Sequence, residues 1–137
     1  MIRVLAFALA MLPMVAGAQE MLPDATPDDQ IPVDEPAKGL ADGTGAMLRG
    51  LDKVSGVSSD ISLNVGQSVD YGFITISLRE CRYPADDPSS DAYAFVTVTE
   101  KGKPQPDFSG WMIASSPALS ALDHPRYDVW VIRCKSE

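Results

Sequence analysis

Cysteine, histidine and aromatic residues are all scarce in this chain of 137 residues: two cysteines, one histidine, and aromatics at 7% of the sequence. A single histidine without a Cys-x-x-Cys pair lacks the clustered nitrogen and sulfur donors that a zinc or redox-metal centre requires, so neither a metal nor a cofactor is expected. Basic residues are also few, eleven against nineteen acids, for a formal charge of −8. No basic stripe exists to displace phosphate counterions, which excludes nucleic acid as a partner. A glycine loop that cradles phosphate is missing too, because Gly39, Gly43 and Gly45 follow no strand pattern. Long apolar runs are confined to one place, the extreme N-terminus.

That run has the layout of a secretory signal. Arg3 supplies the positive start, Val4 to Val15 is apolar and broken only by Pro13, and Ala16-Gly17-Ala18 precedes Gln19. Residues 1–18 are therefore expected to be a leader cleaved after Ala18. The run is shorter than the roughly 20 apolar residues that span a bilayer, so no transmembrane segment is expected after cleavage. With no cysteine at the cleavage point, lipid attachment there is not expected. In a two-membrane bacterium the destination is the periplasm. Cysteine usage agrees, because Cys81 and Cys134 in a small domain in an oxidising compartment usually pair. The bridge would close a loop of about 54 residues, for which chain entropy gives on the order of 4 kcal/mol as an upper figure. A redox or metal role is the alternative.

Residues 19–44 change composition sharply. Pro23, Pro27, Pro32 and Pro36 alternate with acids, seven acids stand against Lys38, and no aromatic appears. Such a stretch cannot build a core and reads as a disordered acidic, Pro-rich tail. Residues 45–137 remain as one small domain, in which a disulfide would carry a large share of the stability.

The domain is patterned at the strand period. Ile74, Ile76 and Leu78 alternate with Thr75, Ser77 and Arg79, the signature of a strand with one buried face. Residues 47–54, 58–63 and 68–71 are shorter candidates, separated by Ser55-Gly56 and Asn64-Val65-Gly66. Residues 92–99 and 127–134 carry apolar groups on both faces and read as central strands covered on two sides. One helical turn is expected at 117–122, with Ser116 as its cap and Pro117 in its first position. The fold class is all-β: a small antiparallel β-barrel or sandwich with one short helical turn.

Candidate chemistry concentrates near the C-terminus. Ser115, Ser116, His124 and Asp123 or Asp128 include the residue types of a nucleophile, base and orienting acid, yet no Gly-x-Ser-x-Gly elbow is present. Asp86, Asp87 and Asp91 lack the spacing of a calcium loop and read as a solvated turn. The stretch from Phe108 to Tyr127 admits a binding reading instead. Phe108, Trp111 and Met112 supply apolar area, Ser116, His124, Arg126 and Tyr127 supply polar handles, and aromatics with arginine anchor interfaces. The competing account is that Trp111 and Trp130 simply fill a small core.

Leu51-Asp52-Lys53-Val54, Val65-Gly66, Cys81, Phe108-Ser109-Gly110-Trp111-Met112, Ala114-Ser115-Ser116-Pro117, Leu122, His124-Pro125 and Tyr127-Asp128-Val129-Trp130 together resemble the DUF2155 family of small exported alphaproteobacterial proteins. The resemblance covers about residues 46–134, with Asp123 where a glutamate and Ile113 where an aromatic are expected. A family without an assigned activity implies no catalytic residues. Its genes tend to neighbour a protein aminoacyl transferase and a small accessory subunit of respiratory complex I, which implies an envelope or respiratory accessory role. The expectation is a non-enzymatic binding or accessory module contacting an envelope protein or a membrane complex. The alternative is an envelope-associated hydrolase using Ser116 and His124.

Overall fold

Alternation of β-branched and polar residues over 74–78 starts the longest strand of the fold, and most other elements pair against it or against its partners. The computed structural model describes residues 39–137. Eight strands follow in order: β1 (Leu40–Asp42), β2 (Gly45–Asp52), β3 (Val57–Asn64), β4 (Ser68–Tyr71), β5 (Ile74–Pro84), β6 (Tyr93–Glu100), β7 (Phe108–Ile113) and β8 (Tyr127–Lys135). One 3₁₀ turn, Pro117–Leu119, sits between β7 and β8. The leader expected over residues 1–18, and residues 19–38 of the acidic stretch, lie outside the described residues.

The strands form two antiparallel sheets in a sandwich-like arrangement, which decides between the two expected all-β forms. The first has the order β1-β5-β6-β7, with β4 also pairing β5, and the second has the order β3-β2-β8. Between them lie Leu48 and Val131 from the smaller sheet, and Ile76, Leu78, Val96 and Val98 from the larger, all buried. Each such aliphatic side chain contributes roughly 1.5–3 kcal/mol by leaving water. Cys81 on β5 and Cys134 on β8 form the disulfide, with Cα atoms 5.7 Å apart. Because β5 and β8 belong to different sheets, the bridge ties one layer to the other.

Four expectations need correction. The ordered domain begins before Gly45, because Leu40 pairs with Pro84 and Asp42 with Arg82. The next two residues then cross between the sheets. Gly43 N–H donates to the Cys81 carbonyl at 2.7 Å, and Thr44 N–H donates to the Lys135 carbonyl at 2.8 Å. A Cβ at Gly43 would stand 2.8 Å from the Lys135 oxygen, so the crossing requires glycine. Second, β7 is a full strand that pairs along β6, from Tyr93 with Ile113 to Val98 with Phe108. Third, β8 is terminal in its sheet, and β6 has a half-buried outer face rather than two covered ones. Fourth, Ser116 makes no side-chain cap, and the turn it precedes is three residues long.

Candidate functional site

The segment from Phe108 to Tyr127 does not present a single surface. Met112, His124 and Tyr127 are buried, and Phe108 packs against the core. Trp111 alone among these side chains points from mid-strand to the outside, at 36% exposure. Trp130 on β8 is half-buried and lies outside the buried core, so neither tryptophan fills it.

The inward half is organised around His124. Its Nδ1 accepts the backbone N–H groups of Arg126 and Tyr127, each at 3.1 Å, and Pro125 between them has no N–H to satisfy. A ring nitrogen that accepts two donors carries no proton, so the tautomer inferred from these bonds has its proton on Nε2. Nε2 lies 3.5 Å from a Glu100 oxygen, is buried, and completes no hydrogen bond. The Lys53 ammonium donates to the His124 carbonyl at 2.6 Å. Arg126 donates to Asp52 at 2.9 Å, an interaction that leads the causes holding the Asp52 carboxyl below its usual range.

Folding brings Glu100, Asp107 and His124 within 4.8 Å of one another, a cluster that the linear spacing concealed. The donor set does not fit a metal. A ligating imidazole presents a bare nitrogen to the ion and donates its other N–H to a carbonyl or carboxylate. Here the roles are reversed, since Nδ1 takes two backbone donors and Nε2 holds the proton. The Lys103 ammonium already bridges Glu100 and, at 3.2 Å, Asp107. That side-chain bond is the first cause holding Glu100 below the usual carboxylate range. For Asp107, burial works upward but is outweighed by the Glu100 backbone N–H, which donates to it at 2.8 Å, and by Lys103.

The nucleophile-and-base set is not assembled. Ser115 Oγ donates to Asp91 at 2.7 Å, and its N–H donates to the same carboxylate at 2.9 Å. Burial raises the Asp91 pKa, and these bonds together with the Ala92 N–H more than reverse that, leaving it lowered. Asp91 is thus a clip joining the loop before β6 to the loop after β7. Asp87 accepts from Ser89 within its own turn. Among the described residues, no hydrogen bond joins a serine hydroxyl to the His124 ring.

The outer face of the larger sheet has a different composition. A β-bulge between Leu78 and Glu80 inserts an extra residue into β5, so Arg79 and Glu80 both turn away from the core. Arg79 stacks over the Phe95 ring at 5.4 Å, and Arg82 over the Trp111 ring at 5.4 Å. Phe95 and Trp111 face each other across β6 and β7 in edge-to-face contact, with centroids 5.4 Å apart. A row Arg79–Phe95–Trp111–Arg82 therefore crosses three strands, with Tyr93 and Ile113 paired beside it. Arg79, Phe95 and Arg82 escaped sequence reasoning, because only strand pairing and the bulge bring them beside Trp111. At the opposite end of β5, a groove of about 400 Å³ runs past Val57, Tyr71, Phe73 and Arg126. Its cation is already matched to Asp52.

Comparison with known proteins adds a family and one relative. The family described as "Uncharacterized protein conserved in bacteria (DUF2155)" matches residues 46–134. A protein of Rickettsia prowazekii (strain Madrid E), described as uncharacterized, is 33% identical over 94 residues, covering 66% of this chain and 61% of the relative. The chain thus spans about three fifths of that relative's length. No solved structure matches.

Proposed function

We propose that this chain, which belongs to the DUF2155 family, is a non-enzymatic binding module of the periplasm, exported by the leader at residues 1–18 and cleaved after Ala18. Its partner is an envelope protein or a membrane complex, the respiratory chain included. The observation that carries this reading is the Arg79–Phe95–Trp111–Arg82 row on the outer face of the larger sheet. Exposed tryptophan flanked by stacked arginine is the composition that anchors protein interfaces, because it offers large apolar area with little rotamer entropy to lose. The disulfide fits an oxidising compartment.

This surface is narrower than the one expected from the linear sequence. Trp111 stays in it, Met112, His124 and Tyr127 are withdrawn into the domain, and Arg79, Phe95 and Arg82 replace them. Less supports the hydrolase alternative, because the His124 Nδ1 is taken by two backbone N–H groups and, among the described residues, no hydrogen bond joins the Ser116 hydroxyl to the ring. The test is crosslinked capture from periplasmic and membrane fractions by the whole chain and by Trp111→Ala. Partner capture should fall with Trp111→Ala while the domain stays folded, its melting temperature lowered by no more than several degrees. Equal capture by the two proteins overturns the surface, and a hydrolytic rate abolished by Ser116→Ala in a folded chain overturns the non-enzymatic reading.

A further inference from the structure

We infer that the Arg79–Phe95–Trp111–Arg82 face receives an acidic segment of a partner protein, with a carboxylate on Arg79 and a neighbouring apolar side chain against Trp111. The inference rests on the binding role proposed above and adds the chemistry of the partner.

Charge pairing carries it. Among the described residues, Arg49 meets Asp60, Arg82 meets Glu80 and Asp42, and Arg126 meets Asp52. Arg79 makes no such pair, in a chain where acids outnumber bases nineteen to eleven. Arg133 shares that property, but only Arg79 stands beside an exposed tryptophan row. The nearest acid in sequence, Glu80, is held by Arg82 at 2.8 Å. Arg79 is placed outward by the bulge with its guanidinium carbon over the Phe95 ring, and among the described residues no hydrogen bond occupies its N–H fork. That fork matches a carboxylate with two parallel hydrogen bonds. Trp111 supplies the apolar half of the same contact.

The net charge of −8 opposes approach of any anion from a distance. Salt screens that repulsion beyond about 8 Å, so the local pair decides the contact with a narrow peptide segment. An anionic bilayer, too broad to meet the local pair alone, would face the net negative charge of the chain, and is disfavoured.

The experiment places a photoactivatable side chain at Ser109, an exposed position two residues from Trp111 on β7, in the full chain mixed with envelope extract. The crosslinked segments are then mapped by mass spectrometry. Mapped segments should hold Asp or Glu beside the crosslink, Arg79→Glu should lower the yield at least tenfold, and Arg79→Lys should lower it less. Melting temperature within a few degrees of the parent confirms folding; if Arg79→Glu fails that control, Arg79→Gln takes its place. Neutral or basic segments, phospholipid, a second copy of this chain, or an unchanged yield with Arg79→Glu overturn the inference. Loss of crosslinking with Trp111→Ala but not with Arg79→Glu leaves the binding face standing and removes only the acidic partner. No crosslink at all removes both.

Discussion

Residues 108–113 and residues 114–127 are continuous in sequence and opposite in what they do with their polar groups. In the later part, the chain consumes its own chemistry: Ser115 answers Asp91, His124 answers two backbone N–H groups, and Arg126 answers Asp52. In the earlier part, Trp111 stands outside the core with Arg82 over its ring, and Phe95 beside it lies under an arginine that meets no carboxylate among the described residues. A histidine and a serine close together in sequence suggest catalysis, yet His124 accepts two backbone N–H groups that would otherwise go unpaired, and Ser115 donates to the Asp91 carboxylate. The binding face proposed above lies where groups are left over rather than where reactive residue types are concentrated.

The most severe way to break this contrast is to release the layers that both parts depend on. Replacing Cys81 and Cys134 together by alanine removes the tie between the sheets and should cost on the order of 4 kcal/mol, the chain-entropy figure for a loop of this length. Urea unfolding of the double variant checks this. A cost under about 1 kcal/mol would mean that the core and backbone pairing hold the layers without the bridge.

Next in size is His124→Ala, which leaves the Arg126 and Tyr127 N–H groups without an acceptor and opens a gap beside Tyr127. An orphaned buried donor costs about 1–3 kcal/mol, so a loss of about 2 kcal/mol is expected. His124→Asn should lose less, because an asparagine side chain accepts N–H groups two and three residues ahead in the same manner. If alanine and asparagine are equally harmful, the ring's packing matters more than its nitrogen.

Acid should then loosen the inward part before it alters the outer row. The carboxyl groups of Asp52, Asp91, Glu100 and Asp107 are all lowered in the folded chain. A lowered folded pKa means that the unfolded chain binds the proton more readily. The stability these groups supply is therefore complete above their unfolded values, about 4, and is lost as pH falls through the lower folded values. Melting temperature measured from pH 7 to pH 2 should be flat at first and decline below about pH 4. Arg126→Gln should flatten part of that decline, since its side-chain bond is the first cause at Asp52. An unchanged acid profile would place the contribution elsewhere.

Much of the sheet structure was legible in the sequence because burial on one face writes a period of two, as at Ile74, Ile76 and Leu78. The cysteine bridge was legible from the expectation of export and from the count of two. β1 was not, since Leu40-Ala41-Asp42 carries no pattern of its own and is a strand only because β5 extends to Pro84 beside it. β7 was missed because Trp111 faces out and Met112 faces in, which places apolar residues on both sides and erases the alternation. The role of His124 left one faint signal, a residue able to accept at Nδ1 followed by a proline that needs no acceptor. Nothing local announced that Glu100 and Asp107 would lie beside it, for that depends on how the β6–β7 hairpin meets the loop before β8. The row around Trp111 was hidden for the same reason, with its other three members brought in by register and a bulge.

The smallest expected effect on stability is also the sharpest test of the contrast. Trp111→Ala removes an exposed ring from the outer face, along with one edge-to-face contact worth about 0.5–1.5 kcal/mol and one cation–π contact of about 0.5–1 kcal/mol at an exposed site. Phe95 and Arg82 remain free to repack, so the net loss should be about 1 kcal/mol or less, half that of His124→Ala. Capture of the partner should nevertheless fall by tenfold or more, as happens when an interface anchor is truncated. The two measurements separate the parts: His124→Ala should lower the melting temperature more and leave capture by the remaining folded protein intact, while Trp111→Ala should lower it less and lose capture. If Trp111→Ala destabilises the domain as much as His124→Ala and capture by the folded fraction is unaltered, the aromatic row is a structural brace on the outer sheet face, and the difference between the two parts is one of exposure alone.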